Sequence, residues 1–552
     1  MSFKLSSFVK LVLQVLQAID RSVGWRGVQT MVLLCCLLSL SSCSALHRGP
    51  EKDTLRINLG AEPPGLDWHV NTDNTSFDVV CNMMVGLTQY KNDLSVVPSC
   101  AKSWDILDGG KRYIFHLRND AKWSDGKPVR AQDFDYAWRR LLNPETAAPY
   151  AFFLYDIDKA FEYNTGAIKD QSQLGIKVID DQTLEVRLRK PATYFLTLTA
   201  ICASFPMRKD IIEKYGTRWT DPGHMVVNGP FILKKWKHEY KIELASNPLY
   251  IGGEPTIKTL KMFMIPEQAT AFALYENDQL DYIDNRSFPT PDVYASREAS
   301  DYHNFALLRN NYIGFNVTKK PFDDKRVRQA VSLAIDRNIF GKVLRRSEKA
   351  SNTLIPPGLL GYSPASGPEF EPEKARKLLA DAGYPDGKGF PQVSILYPTR
   401  EDARLVMEAV QDQLKRNLNL HVDLQNMEWK VYLRKLRSDS PPMFRSSWGA
   451  DYPDPETFAN IFTTHNANND TKWKSAAYDK LVDRAEGEQD KILRAKLYAE
   501  ADKMLCKDES VIACTYLSTQ NIMSKPWLSG IAVNALDLQF FKDARIDDNW
   551  HQ

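Results

Sequence analysis

The fold of this chain is decided by residues 443–458, whose sequence is Met-Phe-Arg-Ser-Ser-Trp-Gly-Ala-Asp-Tyr-Pro-Asp-Pro-Glu-Thr-Phe. Residues 443–448 predict a short strand, and residues 449–452 lead the chain out of it. Asp454 is a typical N-cap residue, and Pro455 suits the first position of a helix. A strand is therefore expected to end close to where a helix begins.

Asp451 lies at this junction, directly after a run of backbone groups that an added extended segment could pair with. Strand addition is one way in which a protein holds a peptide without reading its sequence. Considered alone, the Asp451 carboxylate also suits a helix cap or a surface ion pair. The junction is thus a candidate binding site whose role depends on the rest of the chain.

The second half of the chain alternates predicted helices and strands. Asp323 or Asp324 is expected to cap a helix with Val327 and Val331 on its apolar face. The next predicted elements are a helix at 373–382, a strand at 393–397, a helix at 403–417, a strand at 422–425, a helix at 429–437 and the strand at 443–448. This order is typical of α/β proteins, in which ligands bind at the carboxyl ends of strands.

The first half of the chain contains alternating apolar and polar residues at 55–59, 113–117 and 183–188, which predict half-buried strands. Residues 131–142 predict a helix with one apolar face, and we expect its Phe134 and Trp138 to lie in the core. At 552 residues the chain is longer than one hydrophobic core usually supports. We therefore expect two or three lobes.

The segment Trp-Gly-Ala-Asp-Tyr-Pro-Asp-Pro at 448–455 resembles the ligand-strand motif of the oligopeptide- and dipeptide-binding proteins of bacterial ABC importers, a large extracytoplasmic solute-binding family. Further matches run from Leu55 to about Tyr516. The resemblance implies a periplasmic-binding-protein-like α/β fold with two lobes, a hinge and an extra small α/β domain. It also implies this division of the chain: a signal peptide at 1–42, a lipidated tether at 43–52, lobe I at 53–85, 195–306 and 525–552, the small domain at 86–194, and lobe II at 307–524.

The same resemblance assigns binding roles to individual residues. Asp451 would bind the ammonium of a peptide, because both groups are charged near neutral pH. The peptide backbone would lie between two protein strands. One strand is formed by Ser446, Ser447, Trp448 and Gly449, and the other spans residues 72–74 and includes Asp73 and Asn74. On composition alone, residues 72–74 are a polar loop.

Three further residues complete the predicted site by resemblance. Arg445 would meet the carboxylate of a short peptide with its forked donor, and an ordinary strand-surface arginine is the alternative. Trp429 would line a pocket or pack in the core, and Tyr150 would face the ligand. Ala403 stands where the family's oligopeptide binders place a histidine that contacts longer peptides, and Arg400 or Arg404 is the candidate substitute.

The beginning of the chain is typical of an export signal. Residues 31–40 form an apolar run far shorter than the ~20 residues that span a bilayer. Arg21 and Arg26 precede the run, and Leu-Ser-Ser-Cys at 40–43 follows it; a buried apolar helix is the alternative. The Leu-Ser-Ser-Cys segment resembles a lipoprotein signal-peptidase site, which implies that Cys43 becomes the lipidated first residue. The long leader before Met31 also permits a later translation start.

Five cysteines follow the proposed anchor, so at least one thiol stays unpaired in an oxidising compartment. Cys506 and Cys514 form either a disulfide or two buried free thiols. The remaining three are Cys81, Cys100 and Cys202.

Composition and motifs exclude several function classes. After removal of residues 1–42 the chain holds 67 basic and 68 acidic side chains, which argues against nucleic-acid binding. The chain lacks Gly-x-Ser-x-Gly, His-Glu-x-x-His and Gly-x-Gly-x-x-Gly, and residues 383–389 lack the Ser or Thr of a P-loop. The nine histidines have no metal-like spacing. We therefore expect no enzymatic activity, no cofactor and no metal.

Together these patterns predict a monomeric, lipid-anchored receptor at the periplasmic or extracytoplasmic face of a bacterial membrane. It would capture short peptides between two lobes and deliver them to the transmembrane subunits of an ABC importer. The alternatives are a receptor for cell-wall peptides or for another small solute such as a metal chelate, an exported hydrolase, and a surface adhesin or chaperone that holds unfolded segments.

Overall fold

A computed structural model describes residues 51–71, 73–289, 295, 299–466 and 468–547, with the backbone alone for residues 429 and 430. The predicted signal peptide, the anchor Cys43 and residue Thr72 lie outside the described residues. No helix in the described part is long and apolar enough to cross a bilayer.

The strands in the described ranges are numbered in chain order. They are β1 Thr54–Asn58, β2 Thr88–Tyr90, β3 Val96–Pro98, β4 Ala101–Leu107, β5 Arg112–Leu117, β6 Ile176–Asp180, β7 Thr183–Arg187, β8 Phe231–Lys237, β9 Lys241–Ser246, β10 Thr259–Phe263, β11 Tyr282–Ile283, β12 Tyr302–Phe315, β13 Lys349–Ala350, β14 Val393–Pro398, β15 Val422–Met427, β16 Met443–Gly449, β17 Ile512–Ser524, β18 Leu528–Ser529, β19 Ala532–Val533, β20 Gln539–Phe540 and β21 Arg545–Ile546.

The α-helices of the same ranges are numbered likewise. They are α1 Asn74–Val80, α2 Ala131–Leu142, α3 Ala160–Asn164, α4 Phe195–Leu198, α5 Lys209–Tyr215, α6 Gln268–Glu276, α7 Lys325–Leu333, α8 Phe340–Leu344, α9 Pro372–Asp381, α10 Glu401–Leu418, α11 Trp429–Asp439, α12 Glu456–Ala459, α13 Ala476–Gly487 and α14 Lys491–Lys503.

One large mixed sheet connects the two lobes. Its order is β15-β14-β16-β12-β17-β11-β1-β10-β9-β8, and β13 pairs with β17. Lobe I contains the β11-β1-β10-β9-β8 half, in which β1 and β10 pair in parallel although about 200 residues separate them in sequence. Lobe II contains the β15-β14-β16 half and helices α7–α14. The predicted alternation of helices and strands in the second half is confirmed, and the Asp324 carboxylate accepts the Arg326 N–H at 2.9 Å to cap α7.

Two long strands, β12 and β17, pass from one lobe to the other. They pair with each other in antiparallel fashion, and their register shifts between Ala306 and Asn310 and again between Asn311 and Tyr312. Residues 302–306 of β12 lie on the lobe I side of the first shift, whereas Arg309–Phe315 pair with β16 of lobe II. Irregular pairing at the crossing gives the chain a place to bend.

A separate antiparallel sheet, β4-β5-β7-β6, lies within residues 86–194, the part that we call the small domain. Phe134 and Trp138 of α2 are fully buried against it, as predicted. They belong to the same hydrophobic cluster as Leu55 and Leu260 of lobe I. Lobe II has separate hydrophobic clusters. The small domain therefore shares its hydrophobic core with lobe I rather than with lobe II. The boundaries between the parts stay a prediction.

Two local predictions differ from the structure. The strand expected at residues 72–74 is wrong at Asn74, which begins α1. Asp73 caps that helix, and its carboxylate accepts hydrogen bonds from the Ser76 N–H at 2.8 Å and the Ser76 hydroxyl at 2.6 Å. The helix predicted to follow strand β16 is α12, and it begins at Glu456 rather than at Pro455. The Asp454 carboxylate still accepts the Glu456 N–H at 3.0 Å, so the predicted capping side chain keeps its partner.

The five cysteines 81, 100, 202, 506 and 514 are free and buried. The Sγ atoms of Cys506 and Cys514 lie 3.9 Å apart. Of the two alternatives for this pair, the structure has the buried free thiols.

Candidate functional site

A cavity of about 2300 Å³ lies between lobe I, the small domain and lobe II. The side chains or backbones of nine predicted site residues line it: Asp73, Asn74, Tyr150, Arg445, Ser446, Ser447, Trp448, Gly449 and Asp451. The tenth, Trp429, opens helix α11, but its side chain lies outside the described part. The structure thus brings together residues that are up to 378 positions apart in sequence; their binding roles stay predictions.

One edge of strand β16 is open toward this cavity. On its other side, Arg309–Phe315 of β12 pair with β16 along its whole length. Strand β14 pairs only with Met443 and Phe444, at the beginning of β16. The remaining part of that edge, residues 445–449, therefore has no partner strand among the described residues.

Backbone alternation identifies which groups the open edge presents. The Ala450 N–H donates to the Leu308 carbonyl, so the backbone of Ala450 faces β12. Backbone groups of alternate residues in a strand point to opposite sides, so those of Arg445, Ser447 and Gly449 point away from β12. The Tyr432 hydroxyl already donates to the Arg445 carbonyl. Ser447 and Gly449 are left with N–H and C=O groups that an extended ligand can pair with.

Asp451 follows this edge and is enclosed by protein. Its side chain is half-buried, and the open part of its surface faces the cavity. Burial raises the pKa of Asp451 from 3.8 to about 7, although the Thr457 hydroxyl and the charge of Arg309 oppose the rise. The hydroxyl of Thr457 lies 3.3 Å from the carboxylate. Arg309, the cation whose charge acts on Asp451, lies within ion-pair distance of Asp537 at 4.0 Å, and no ion pair of Asp451 is found among the described residues.

Arg445 presents an unused donor to the cavity wall. Its guanidinium is buried, and Nη2 donates to Oδ1 of Asn311 at 2.7 Å and to the Tyr516 hydroxyl at 3.4 Å. Its Nε and the Nε1 of Trp448 are buried and have no hydrogen-bond partner among the described residues. A buried donor without a partner is costly. The two groups are therefore suited to an acceptor that arrives with a ligand.

The opposite wall is largely aromatic. The Tyr150 ring lies 5.9 Å from that of Phe77 and 4.7 Å from that of Phe153. Burial raises the pKa of Tyr150, and the nearby charge of Asp451 raises it further. Apolar surface facing a carboxylate fits a ligand with a charged end and variable side chains.

Sequence reasoning missed several residues of the site. Arg309 reaches the vicinity of Asp451 because β12 pairs with β16, and Tyr432 reaches Arg445 because α11 packs beside that strand. Neither residue has a local motif that could have revealed it. Thr457, six residues after Asp451, was within the quoted stretch and could have been considered as its hydrogen-bond partner.

The suggested substitutes for the missing histidine do not reach the cavity. Ala403 is fully buried in the core of lobe II. Arg400 pairs with Asp402, and Arg404 pairs with acidic residues of its own helix. Neither arginine lines the cavity. The part of the chain that the structure describes also contains no group of three or more His, Cys, Asp or Glu side chains placed to hold a metal ion.

Two lobes that share two crossing strands and enclose a ligand-sized cavity define a two-lobed substrate-binding protein. The family model for bacterial extracellular solute-binding proteins, family 5, middle part, matches residues 95–470. The chain therefore belongs to family 5 of the bacterial extracellular solute-binding proteins, which are solute receptors, and the predicted family is confirmed.

Individual relatives cover nearly the whole chain. The periplasmic oligopeptide-binding protein OppA of Escherichia coli strain K12 is 34% identical over 87% of this chain and 90% of its own. The probable deoxycholate-binding periplasmic protein YgiS of the same strain is 31% identical over 93% of this chain and 98% of its own. The solved structure of the Escherichia coli murein tripeptide binding protein MppA superposes with a TM-score of 0.80 at 31% identity and covers 90% of this chain and 99% of that protein. The predicted fold class is thereby confirmed.

Proposed function

We propose that this protein is the receptor of a bacterial ABC importer and that it holds short peptides in the cavity between its lobes. The observation that carries the proposal is the open edge of β16 followed at once by the enclosed carboxyl group of Asp451. A peptide matches both features. Its backbone can pair with the open edge of β16 as an added strand, and its ammonium can pair with the Asp451 carboxylate.

The electrostatics of the cavity favour a cationic group on the ligand. Among the described residues, twelve Asp or Glu and seven Lys or Arg side chains line it. The pKa of Asp451, raised to about 7 by burial, means that the empty closed cavity stabilises the charged carboxylate poorly. A peptide ammonium beside Asp451 would restore its charge. A bile acid such as the one named for the Escherichia coli relative carries a carboxylate, and it would meet repulsion at this position.

The size of the cavity favours a peptide over a small solute. Ordinary small-molecule sites have volumes of about 300–1,000 Å³, and this cavity has about 2300 Å³. Such a volume leaves room for hydrated side chains of different kinds, because ordered water can fill the space that a smaller side chain leaves. The murein tripeptide named for the solved relative also belongs to the peptide class.

The remaining parts of the proposal rest on the sequence and the family. The signal segment and Cys43 support a lipid-anchored protein at the extracytoplasmic face of the membrane, and the two-lobed fold supports a monomer that hands its ligand to permease subunits. A binding role without catalysis is proposed because the described lining of the cavity offers hydrogen-bonding groups and the Asp451 carboxyl group to a ligand, and no nucleophile beside a base was recognised in it.

Mass spectrometry of the ligands that copurify with the protein tests the proposal, followed by calorimetry with di- to hexapeptides. Intact short peptides, bound in a stoichiometry of one, are the expected result. Cleaved products would support a hydrolase, and equal affinity for short and very long chains would support a chaperone. Exclusive binding of deoxycholate or of a metal chelate would refute the peptide assignment.

A further inference from the structure

The small domain and lobe II touch directly along one side of the cavity. The rings of Tyr194 and Tyr452 stack with their centroids 5.5 Å apart. Phe153 of the small domain meets the same Tyr452 edge-on at 6.0 Å. Tyr452 of lobe II belongs to the hydrophobic cluster of lobe I and the small domain. All three rings line the cavity, and we take this direct contact between the small domain and lobe II as the mark of a closed form.

A charged bridge crosses the same contact. Lys190, just after the last strand of the small domain, donates from Nζ to Oδ1 of Asp483 at 2.8 Å and to the Glu486 carboxylate. Both acids lie on helix α13 of lobe II. The Lys190 side chain is 19% exposed and that of Glu486 is 10% exposed. The Asp483 side chain is 76% exposed, so only the Lys190–Glu486 pair is largely shielded from water, unlike a typical surface ion pair.

The hydrophobic cores indicate that this bridge breaks when the cavity opens. The small domain shares its core with lobe I, whereas helix α13 packs in a cluster of lobe II through Tyr478 and Val482. The chain crosses between these two bodies in β12 and β17, where the pairing is irregular. A rotation about the crossing would leave each core intact and would separate Lys190 from α13.

Lys190 offsets part of the negative charge that gathers around the bridge. Glu486 and Glu456 are both buried, and Asp156 of the small domain lies near them. Burial raises the pKa of Glu486, the negative charge of Asp156 adds to the rise, and the ammonium of Lys190 opposes it. Asp156 keeps an ion pair with Arg189 at 3.6 Å, whereas without the Lys190 ammonium closure would leave the buried Glu486 carboxylate without its ion-pair partner.

We infer that Lys190 is a latch: it holds the small domain on lobe II over a bound ligand and so sets how long the closed complex lasts. The inference rests on the proposed function for the identity of the ligand. The latch itself is a contact between the small domain and lobe II and does not depend on which ligand is bound. Lys190 also lines the cavity, so a direct contact with a ligand carboxylate is the competing explanation.

Dissociation kinetics of a fluorescent tripeptide test the latch. Lys190→Met is expected to dissociate about tenfold faster than the wild type, with a smaller change in association rate, because interface changes act mainly on dissociation. Lys190→Arg should restore most of the slow rate, since it keeps the charge. The control is Lys241→Met, which removes a lysine of similar exposure, 22%, whose partner Glu243 lies on the same strand of lobe I at 2.6 Å. The control should leave the dissociation rate unchanged.

Peptides with a free and an amidated C-terminus separate the latch from a direct contact. The latch predicts the same acceleration in Lys190→Met for both peptides. An acceleration confined to the free carboxylate would overturn the inference in favour of ligand contact. Failure of the wild type to bind any peptide would instead refute the proposed function.

A second measurement needs no peptide. Spin labels at Lys177→Cys on β6 and Lys491→Cys on α14, both exposed positions, report the distance between the small domain and lobe II, since the native cysteines in the described part are buried. Adding Lys190→Met should shift the distance distribution toward longer values. An identical distribution with and without Lys190 would overturn the latch, whatever the ligand is.

Discussion

Replacing Asp451 with asparagine isolates the charge that we propose for ammonium recognition. The difference between a pKa of about 7 and the ordinary 3.8 corresponds to about 4 kcal/mol of lost stabilisation for the charged carboxylate in the empty closed cavity. A bound ammonium can return only part of this, because the open form already hydrates the carboxylate and because the peptide loses its own hydration. We therefore expect Asp451→Asn to weaken free-amine peptides by about tenfold to a hundredfold, or about 1.4–2.8 kcal/mol.

Calorimetry with a free and an N-acetylated tripeptide, on wild type and on Asp451→Asn, gives a complete double-mutant cycle. Acetylation should weaken binding to the wild type strongly and to the variant little, since the interaction is already lost there. Asp470→Asn is the matched control, because Asp470 also lines the cavity and burial raises its pKa to about 6. The control should keep the full penalty for acetylation. Equal affinity of the wild type for both peptides would refute the role of Asp451.

Three further predictions follow from the same site and its support. Affinity for free-amine peptides should fall as pH drops from about 7, the pKa of Asp451 in the empty closed form, toward its ordinary 3.8, because protonation neutralises Asp451. Asp451→Asn should flatten this profile in calorimetry. Ser447→Pro should abolish peptide binding while its melting temperature stays near that of the wild type, because the Ser447 N–H faces the open edge. Its control, Ser446→Pro, should lower the melting temperature, because the Ser446 N–H faces β12. Arg494→Met should cost about 3–5 kcal/mol in denaturant unfolding, because it leaves Asp454 buried without its two 2.8 Å hydrogen bonds, and adding Asp454→Asn should recover part of the loss.

The sequence predicted those parts of the fold that local chemistry determines. Helix α2 carries its apolar face where the spacing of Phe134 and Trp138 places it, and β16 has almost the predicted bounds. The strand expected at residues 72–74 rested on the family resemblance alone, and it failed at Asn74, which begins a helix. The Ser76 side chain and backbone instead satisfy the Asp73 carboxylate and begin a helix. An N-cap is a local sequence signal, so Asp73 followed by Ser76 three residues later would have favoured a helix here.

The remaining features depend on contacts between distant segments, which no local pattern encodes. Arg309 approaches Asp451 through strand pairing across about 140 residues, and Lys190 meets α13 across nearly 300. The open edge of β16 has the same origin, since it exists only because β14 stops pairing after Phe444. A sequence can show that a strand ends beside a carboxylate, but the absence of a neighbouring strand is a property of the whole sheet.

The carboxyl group of Asp451 also explains why the cavity would close on a ligand rather than on water. Closing without a cation places a carboxylate where burial raises its pKa to about 7, so near neutral pH the empty closed form must either bind a proton or hold a poorly solvated charge. A bound ammonium removes that cost in the closed form. It stabilises the open form less, because water already surrounds the carboxylate there. The group that recognises the ligand therefore also biases the two lobes toward closure when the ligand is present. The Lys190 bridge stabilises the same closed form, which is why its removal should appear in the dissociation rate as well as in the distance distribution measured without peptide.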